Sequence, residues 1–281
     1  MTEVIFVKTR YHYQSYTDFW YIVGLSGYPT CYVDEMDLHD YKKVYIGTPM
    51  NGEWRPYLES SRKDRQSSVI MWNLERPGGS GTLHDYISSN QALIDDGYLN
   101  AVIVSDMKLA AYSGFHYMPL GIHPRLGTPG GIEDKVHDLI HLSCYSFRRS
   151  FLFNNNPIDP KLYVNNLSVA GNSWGEDRNN KLRHSRFMLN IHQDEFEYLE
   201  PLRLTLAAAY GLPILSEPLG NVFPYDCSRF SLHCDKSSRL LTKAEEIIRS
   251  DEYEKWYRGG LDLREHMIQY YTFRGCLEAF L

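Results

Sequence analysis

The stretch Phe187–Gly220, FMLNIHQDEFEYLEPLRLTLAAAYGLPILSEPLG, carries its ionisable side chains where apolar runs stop and start: His192, Glu200, Arg203 and Glu217. An imidazole in such a place can take or give a proton near neutral pH. A guanidinium can hold a phosphate with two parallel hydrogen bonds, and a carboxylate can accept paired hydroxyls. Together these types suit an anionic, hydroxyl-bearing ligand. Glu200 and Arg203 are also spaced i, i+3, so on a helix they can equally form a local ion pair.

The elements that must position these groups follow from the apolar pattern. Met188–Ile191 reads as a short buried strand that opens into a polar loop. Leu199, Leu202, Leu206 and Ala209 recur at helical spacing; Gly211 and Pro213 end that helix, and Ile214 and Leu215 begin the next strand. In an open α/β sheet, ligands collect at the carboxyl ends of strands and the amino ends of the following helices, which is where all four groups fall. Three other stretches share this placement. In SCYSFRR, Ser143 is small enough to let a backbone approach a phosphate and Arg148 and Arg149 open the next segment, although a solvated basic turn has the same composition. In GNSWGEDRNN, Gly171 allows close backbone approach and Trp174 offers a ring platform, or the segment is an ordinary loop. In WNLERPGGSGT, Glu75 stands at a strand end before a Gly/Ser run that suits a lid or a plain surface turn.

Strands are expected at Val4–Val7, Thr30–Val33, Val44–Gly47, Val69–Asn73, Ala101–Ser105 and His116–Met118, with helices at Ser15–Leu25, His84–Asp95 and Met107–Tyr112. This alternation predicts a mostly parallel, Rossmann-like lobe over residues 1–120. The Pro- and Gly-rich run 121–136 reads as a linker. Alternation resumes over 137–281 with strands at Asp138–Leu142, Leu167–Ala170, Phe187–Ile191 and Leu212–Leu215, and a helical tail from Thr242 to Phe280. The fold class is thus α/β, with two Rossmann-like lobes facing a cleft.

A chain of 281 residues with 43% apolar and 23% charged side chains is an ordinary globular composition. Its net charge of -6 gives no global attraction for nucleic acid or anionic membrane. Five Cys without zinc spacing point to free thiols in a reducing, cytoplasmic compartment. The start, MTEVIFVKTR, is unlike a signal peptide, and no apolar run reaches the length of a membrane span. P-loop, dinucleotide, zinc-protease and serine-hydrolase motifs are absent, and the acidic Asp34, Glu35 and Asp37, which could suggest a metal, follow a strand as an isolated patch without a partner His.

The successive segments DLIHLSCYSFRR (138–149), GNSWGEDR (171–178) and LNIHQDEFEYLEPLRLTLAAAYGLPILSE (189–217) resemble the C-terminal lobe of GT-B glycosyltransferases of bacterial and viral, family 1/4-like type. NLE (73–75), VSD (104–106) and MPLG (118–121) are similar to stretches of the N-terminal lobe. The resemblance implies a nucleotide-sugar donor, a UDP-sugar above others, on the C-terminal lobe, an acceptor on the N-terminal lobe, and transfer with retention and without a metal or other cofactor. It implies nucleotide or diphosphate contacts for Ser143, Arg148, Arg149, Gly171, Trp174, Arg178 and Arg203, and ribose or sugar hydroxyl contacts for Glu200 and Glu217. Glu75, His192 and Glu200 are its candidates for the catalytic groups. The acceptor is a glycan, a small molecule or a modified DNA base; the alternative is a silent nucleotide-sugar-binding module. Leu206 stands where many retaining relatives carry a second Glu, and Ser143 where a Gly is usual. The modest length suits a phage or other viral enzyme working in the host cytoplasm.

Overall fold

The computed structural model describes residues 2–8, 17–48, 54–61, 64–74, 82–143, 148–149, 162–166, 175–192, 197–226 and 231–281. The chain divides into two compact lobes: Met1–Pro119 with Glu200–Leu202 and Cys276–Leu281, and Leu120–Leu199 with Arg203–Gly275.

The first lobe follows the expected alternation. Its elements are β1 (Glu3–Lys8), α1 (Thr17–Leu25), β2 (Thr30–Tyr32), β3 (Lys43–Gly47), α2 (Trp54–Ser61), β4 (Ser68–Asn73), α3 (Leu83–Asp95), β5 (Ala101–Val104), α4 (Met107–Ser113) and β6 (His116–Tyr117). All pairings are parallel, in the order β2-β1-β3-β4-β5-β6. The central strands read as unbroken apolar runs because both faces are covered: Phe6, Val7, Ile46, Trp72 and Val102–Val104 are fully buried. Phe19 of α1 packs edge-on against Phe6 and Trp72, with ring centroids 5.8 and 5.4 Å away. The Trp72 indole N–H donates to Ser105 Oγ at 2.9 Å, and that hydroxyl donates to the Met118 carbonyl at 2.8 Å, so the buried ring leaves no polar atom unmet. The Asp106 carboxylate caps α4 by accepting from the Leu109 N–H at 2.8 Å, and Gly114 ends that helix at φ 76°.

The rest of the chain forms β7 (His137–Ser143), β8 (Leu162–Asn166), α5 (Glu176–Arg183), β9 (Ser185–Asn190), α6 (Pro201–Ala209), β10 (Ile214–Ser216), β11 (Leu232–Cys234), α7 (Ser237–Arg249), α8 (Tyr253–Tyr270) and α9 (Phe273–Phe280), all in the second lobe but for the first two residues of α6 and the part of α9 from Cys276 on. Its parallel sheet has the order β11-β10-β9-β7-β8. The second strand of this lobe is described at Leu162–Asn166; the expected Leu167–Ala170 lies outside the described residues. Leu139, Phe187, Leu189 and Leu215 of the sheet form one core with Leu240, Ala244 and Ile247 of α7 and with Tyr253 and Trp256 of α8.

Two backbone features pin α6 and α8 in place. Gly211 adopts φ 63° after α6, a conformation that disfavours other residues. A Cβ at Gly260 of α8 would overlap the Gly211 carbonyl oxygen, so the close approach needs glycine there. The segment read as a linker packs onto this lobe. Ile122 bridges Thr272, and Arg264 of α8 donates to the carbonyls of Pro124 and Gly127 at 3.0 and 3.2 Å. Lys135 is buried there, with its ammonium 2.8 Å from the Arg183 carbonyl and 5.7 Å from the Tyr257 ring centre. Burial pushes its pKa down from 10.5 to about 8, against a small opposing pull from Asp134.

Candidate functional site

β7 and β9 are neighbours in the second sheet, yet the chain leaves β7 toward β8 on one side and β9 toward β10 on the other. The carboxyl ends of this strand pair are therefore the topological switch point. Helices that return from those ends present their first turns to the same edge. Arg203, the third residue of α6, is therefore placed there by topology, whereas Arg178, the third residue of α5, follows β8.

Three guanidinium groups are fixed around the strand ends. The Arg203 Nε–H donates to the Leu142 carbonyl at 2.7 Å, and its Nη1 donates to Asn190 Oδ1 and, at 3.5 Å, to the Ile191 carbonyl. The Arg149 Nε–H donates to the Ile191 carbonyl at 3.0 Å. Arg148 Nη1 donates to the His192 carbonyl at 2.9 Å. A buried cation is tolerable only where carbonyl or carboxylate oxygens replace its water, and the last residues of β7 and β9 supply them.

Glu217, just past β10, closes the group. Its Oε2 accepts from Arg148 Nη1 at 2.8 Å and from the His192 backbone N–H at 2.7 Å, while Oε1 accepts from Arg148 Nη2. The Glu217 N–H in turn donates to the Asn190 carbonyl at 3.0 Å. Asn190 Nδ2 donates to Ser216 Oγ at 2.9 Å, joining β9 to β10 by side chains as well as by the ladder. His192 places Nε2 3.1 Å from the Pro218 carbonyl oxygen. A carbonyl only accepts, so Nε2 carries the proton and Nδ1 is the basic nitrogen of the neutral ring.

Exposure separates these groups. Arg149, Arg203, Glu217 and His192 are 4 to 7% exposed, whereas the Arg148 side chain is 30% exposed. Among the described residues the site thus sets three cations beside one carboxylate, with Arg148 the most open to solvent of the three.

Of the sequence-derived candidates, the structure brings together Arg148, Arg149, His192, Arg203 and Glu217. Ser143 ends β7 opposite Asn166 of β8. Arg178 is buried on α5 and donates to Asn179 Oδ1 at 3.0 Å; Glu200 is half-buried and directly precedes α6. Glu75, Gly171 and Trp174 lie outside the described residues. Asn190, which binds both Arg203 and Ser216, escaped the sequence reading; the available signal was an amide closing the apolar run Phe187–Leu189.

No protein-family model and no curated protein sequence matches the chain. Solved structures do. The structure of Anabaena HepE in complex with UDP-glucose superposes with a TM-score of 0.68 at 8% identity, over 100% of this chain and 99% of that one. Sucrose-phosphate synthase from Thermosynechococcus elongatus gives 0.64 at 10% identity, over 100% of this chain and 97% of that one. TarM gives 0.59 at 9% identity over 86% of this chain, which spans only 54% of TarM. Identities this low establish architecture alone, and the architecture is that of the resemblance noted in the sequence: the chain has the fold of the GT-B glycosyltransferases.

Proposed function

We propose that the protein is a glycosyltransferase whose second lobe binds a nucleotide-sugar donor at the β7/β9 switch point. The observation that carries this reading is the gathering of Arg148, Arg149 and Arg203 at one sheet edge, with Glu217 the carboxylate among the described residues there. HepE, which has the same fold, is a structure seen with UDP-glucose, and a UDP-sugar is the donor proposed here. In transfer, the bond from the anomeric carbon to the diphosphate oxygen breaks and its electron pair leaves with UDP. An acceptor oxygen bonds to that carbon, and its proton passes to a base. Charge grows on the diphosphate while the sugar becomes oxocarbenium-like, so fixed guanidinium groups stabilise the transition state more than the ground state. Three such groups supply the positive charge that a metal ion would otherwise bring, and transfer is proposed to be metal-independent.

Arg148 is the proposed diphosphate contact. Arg149 and Arg203 hold the strand ends and add to the field. His192 Nδ1 is the proposed base, Glu200 a proposed sugar-hydroxyl contact, and the first lobe the proposed acceptor side. The acceptor is proposed as a glycan or small molecule; a modified DNA base is disfavoured by the net charge of -6.

The test is release of UDP from UDP-glucose and other UDP-sugars across an acceptor panel that includes duplex DNA with hydroxymethylated bases. Acceptor-dependent UDP release that survives excess EDTA is expected, and the anomeric coupling constant of the product reports retention or inversion. Binding without turnover across the panel would make the protein a silent binding module. Absence of binding to every activated sugar would end the reading.

A further inference from the structure

Glu217 is the carboxylate that the family resemblance assigns to ribose or sugar hydroxyls, yet its two oxygens already accept three N–H bonds, two from the Arg148 guanidinium and one from the His192 backbone. It is 4% exposed. A vicinal diol reaching the same oxygens would have to displace the guanidinium fork and enter where solvent barely does. The group beside it that does face solvent is Arg148, at 30% side-chain exposure.

We infer that Glu217 is a positioning residue: it orients the Arg148 guanidinium toward the donor diphosphate and itself contacts neither ribose nor sugar. An unrestrained Arg loses rotamer freedom when it clamps an anion, and a partner that fixes the plane of the fork beforehand removes that cost. Arg148 is held on both sides, by the Glu217 carboxylate and by the His192 carbonyl, so the fork is locked to the end of β9 as well as to β10. The inference rests on the nucleotide-diphosphate reading above.

The sign of one substitution separates the alternatives. Glu217→Gln removes a negative charge, so if Glu217 acts only through the field, anions bind more tightly. The amide also turns an acceptor into a donor facing Arg148, so if Glu217 positions the fork, anions bind more weakly. Calorimetric titration with three probes, UDP, inorganic pyrophosphate and uridine, is performed on the wild type, Glu217→Gln, Arg148→Met and the double variant. Positioning predicts that Glu217→Gln weakens UDP and pyrophosphate by about tenfold, the scale of a lost charged hydrogen bond, and leaves uridine unchanged. It also predicts little further loss when Glu217→Gln is added to Arg148→Met. Arg148→Lys keeps the charge but not the fork and is expected to weaken UDP to a similar degree; because its side chain is partly exposed, it serves if Glu217→Gln does not fold. Tighter pyrophosphate binding, a loss confined to UDP and uridine, additive effects in the double variant, or wild-type affinity in Arg148→Lys would each overturn the inference while leaving the donor reading intact. A wild type that binds neither UDP nor pyrophosphate would overturn both.

Discussion

The two lobes share a strand order. With strands numbered within each lobe, five run 2-1-3-4-5, and the first lobe adds a sixth at its far edge. Their buried polar chemistry differs. Among the described residues the first lobe buries Thr48, Asn73 and Ser105 next to its strand ends, with Asp106 as a helix cap, and buries no cation. The second buries Arg149, Arg178, Arg203 and Lys135. Among the described residues, one topology therefore buries uncharged polar groups beside the strand ends of one lobe and guanidinium groups beside those of the other. Strand order decides where a ligand site can be; the side chains that replace water at the strand ends decide which ligand it suits.

Three substitutions probe this contrast. The largest effect is expected for Arg203→Ala, which leaves the Leu142 carbonyl and Asn190 Oδ1 without their buried donor. Unfolding free energy should fall by about 3 kcal/mol in urea melts and UDP affinity by about tenfold or more. A variant that keeps both would remove Arg203 from the site.

Lys135 tests whether every buried cation of the second lobe serves the ligand. Its folded pKa of about 8 lies below the 10.5 of the free side chain, so between those values the unfolded chain binds more protons and stability rises with pH. From pH 7.5 to 9.5 the gain from this group is about 2 kcal/mol. Lys135→Met should abolish that rise relative to the wild type and leave UDP affinity unchanged. Parallel pH profiles for the two proteins would contradict it.

The smallest effect is expected for Ser105→Ala in the first lobe, which deprives the Trp72 indole N–H of its acceptor. About 1 kcal/mol of stability should be lost with no change in UDP titration. A weakened UDP affinity would break the division of chemistry between the lobes.

What could be read from the chain and what could not have physical causes. Central strands such as Val69–Asn73 and Ala101–Ser105 are legible because strands buried on both faces are continuous apolar runs, and the structure places β4 and β5 there. α2, with the sequence WRPYLESS, and β11, the three residues LHC, went unread: in one the Trp54, Tyr57 and Leu58 spacing spans little more than a turn and is interrupted by Pro56, and the other is too short to show any period. At the site, the residue types at the strand and helix ends announced themselves, but their pairing did not. Arg148 and Glu217 are 69 positions apart, and Arg203 and Leu142 are 61 apart. Only the sheet order, which sets β7, β9 and β10 side by side, brings them within reach.

The last six residues of the chain, Cys276–Leu281, group with the first lobe, and Phe280 lies edge-on to His116 with ring centroids 5.7 Å apart. During synthesis the ribosome therefore makes nearly all of the first lobe, then the whole of the second, and only afterwards the piece that completes the first. Domains that emerge early ordinarily finish folding early. Here the early lobe waits on late-made sequence. A single cut at the Pro119/Leu120 boundary would not release two self-sufficient halves, because the second fragment would carry off Glu200–Leu202 and Cys276–Leu281, which group with the first lobe.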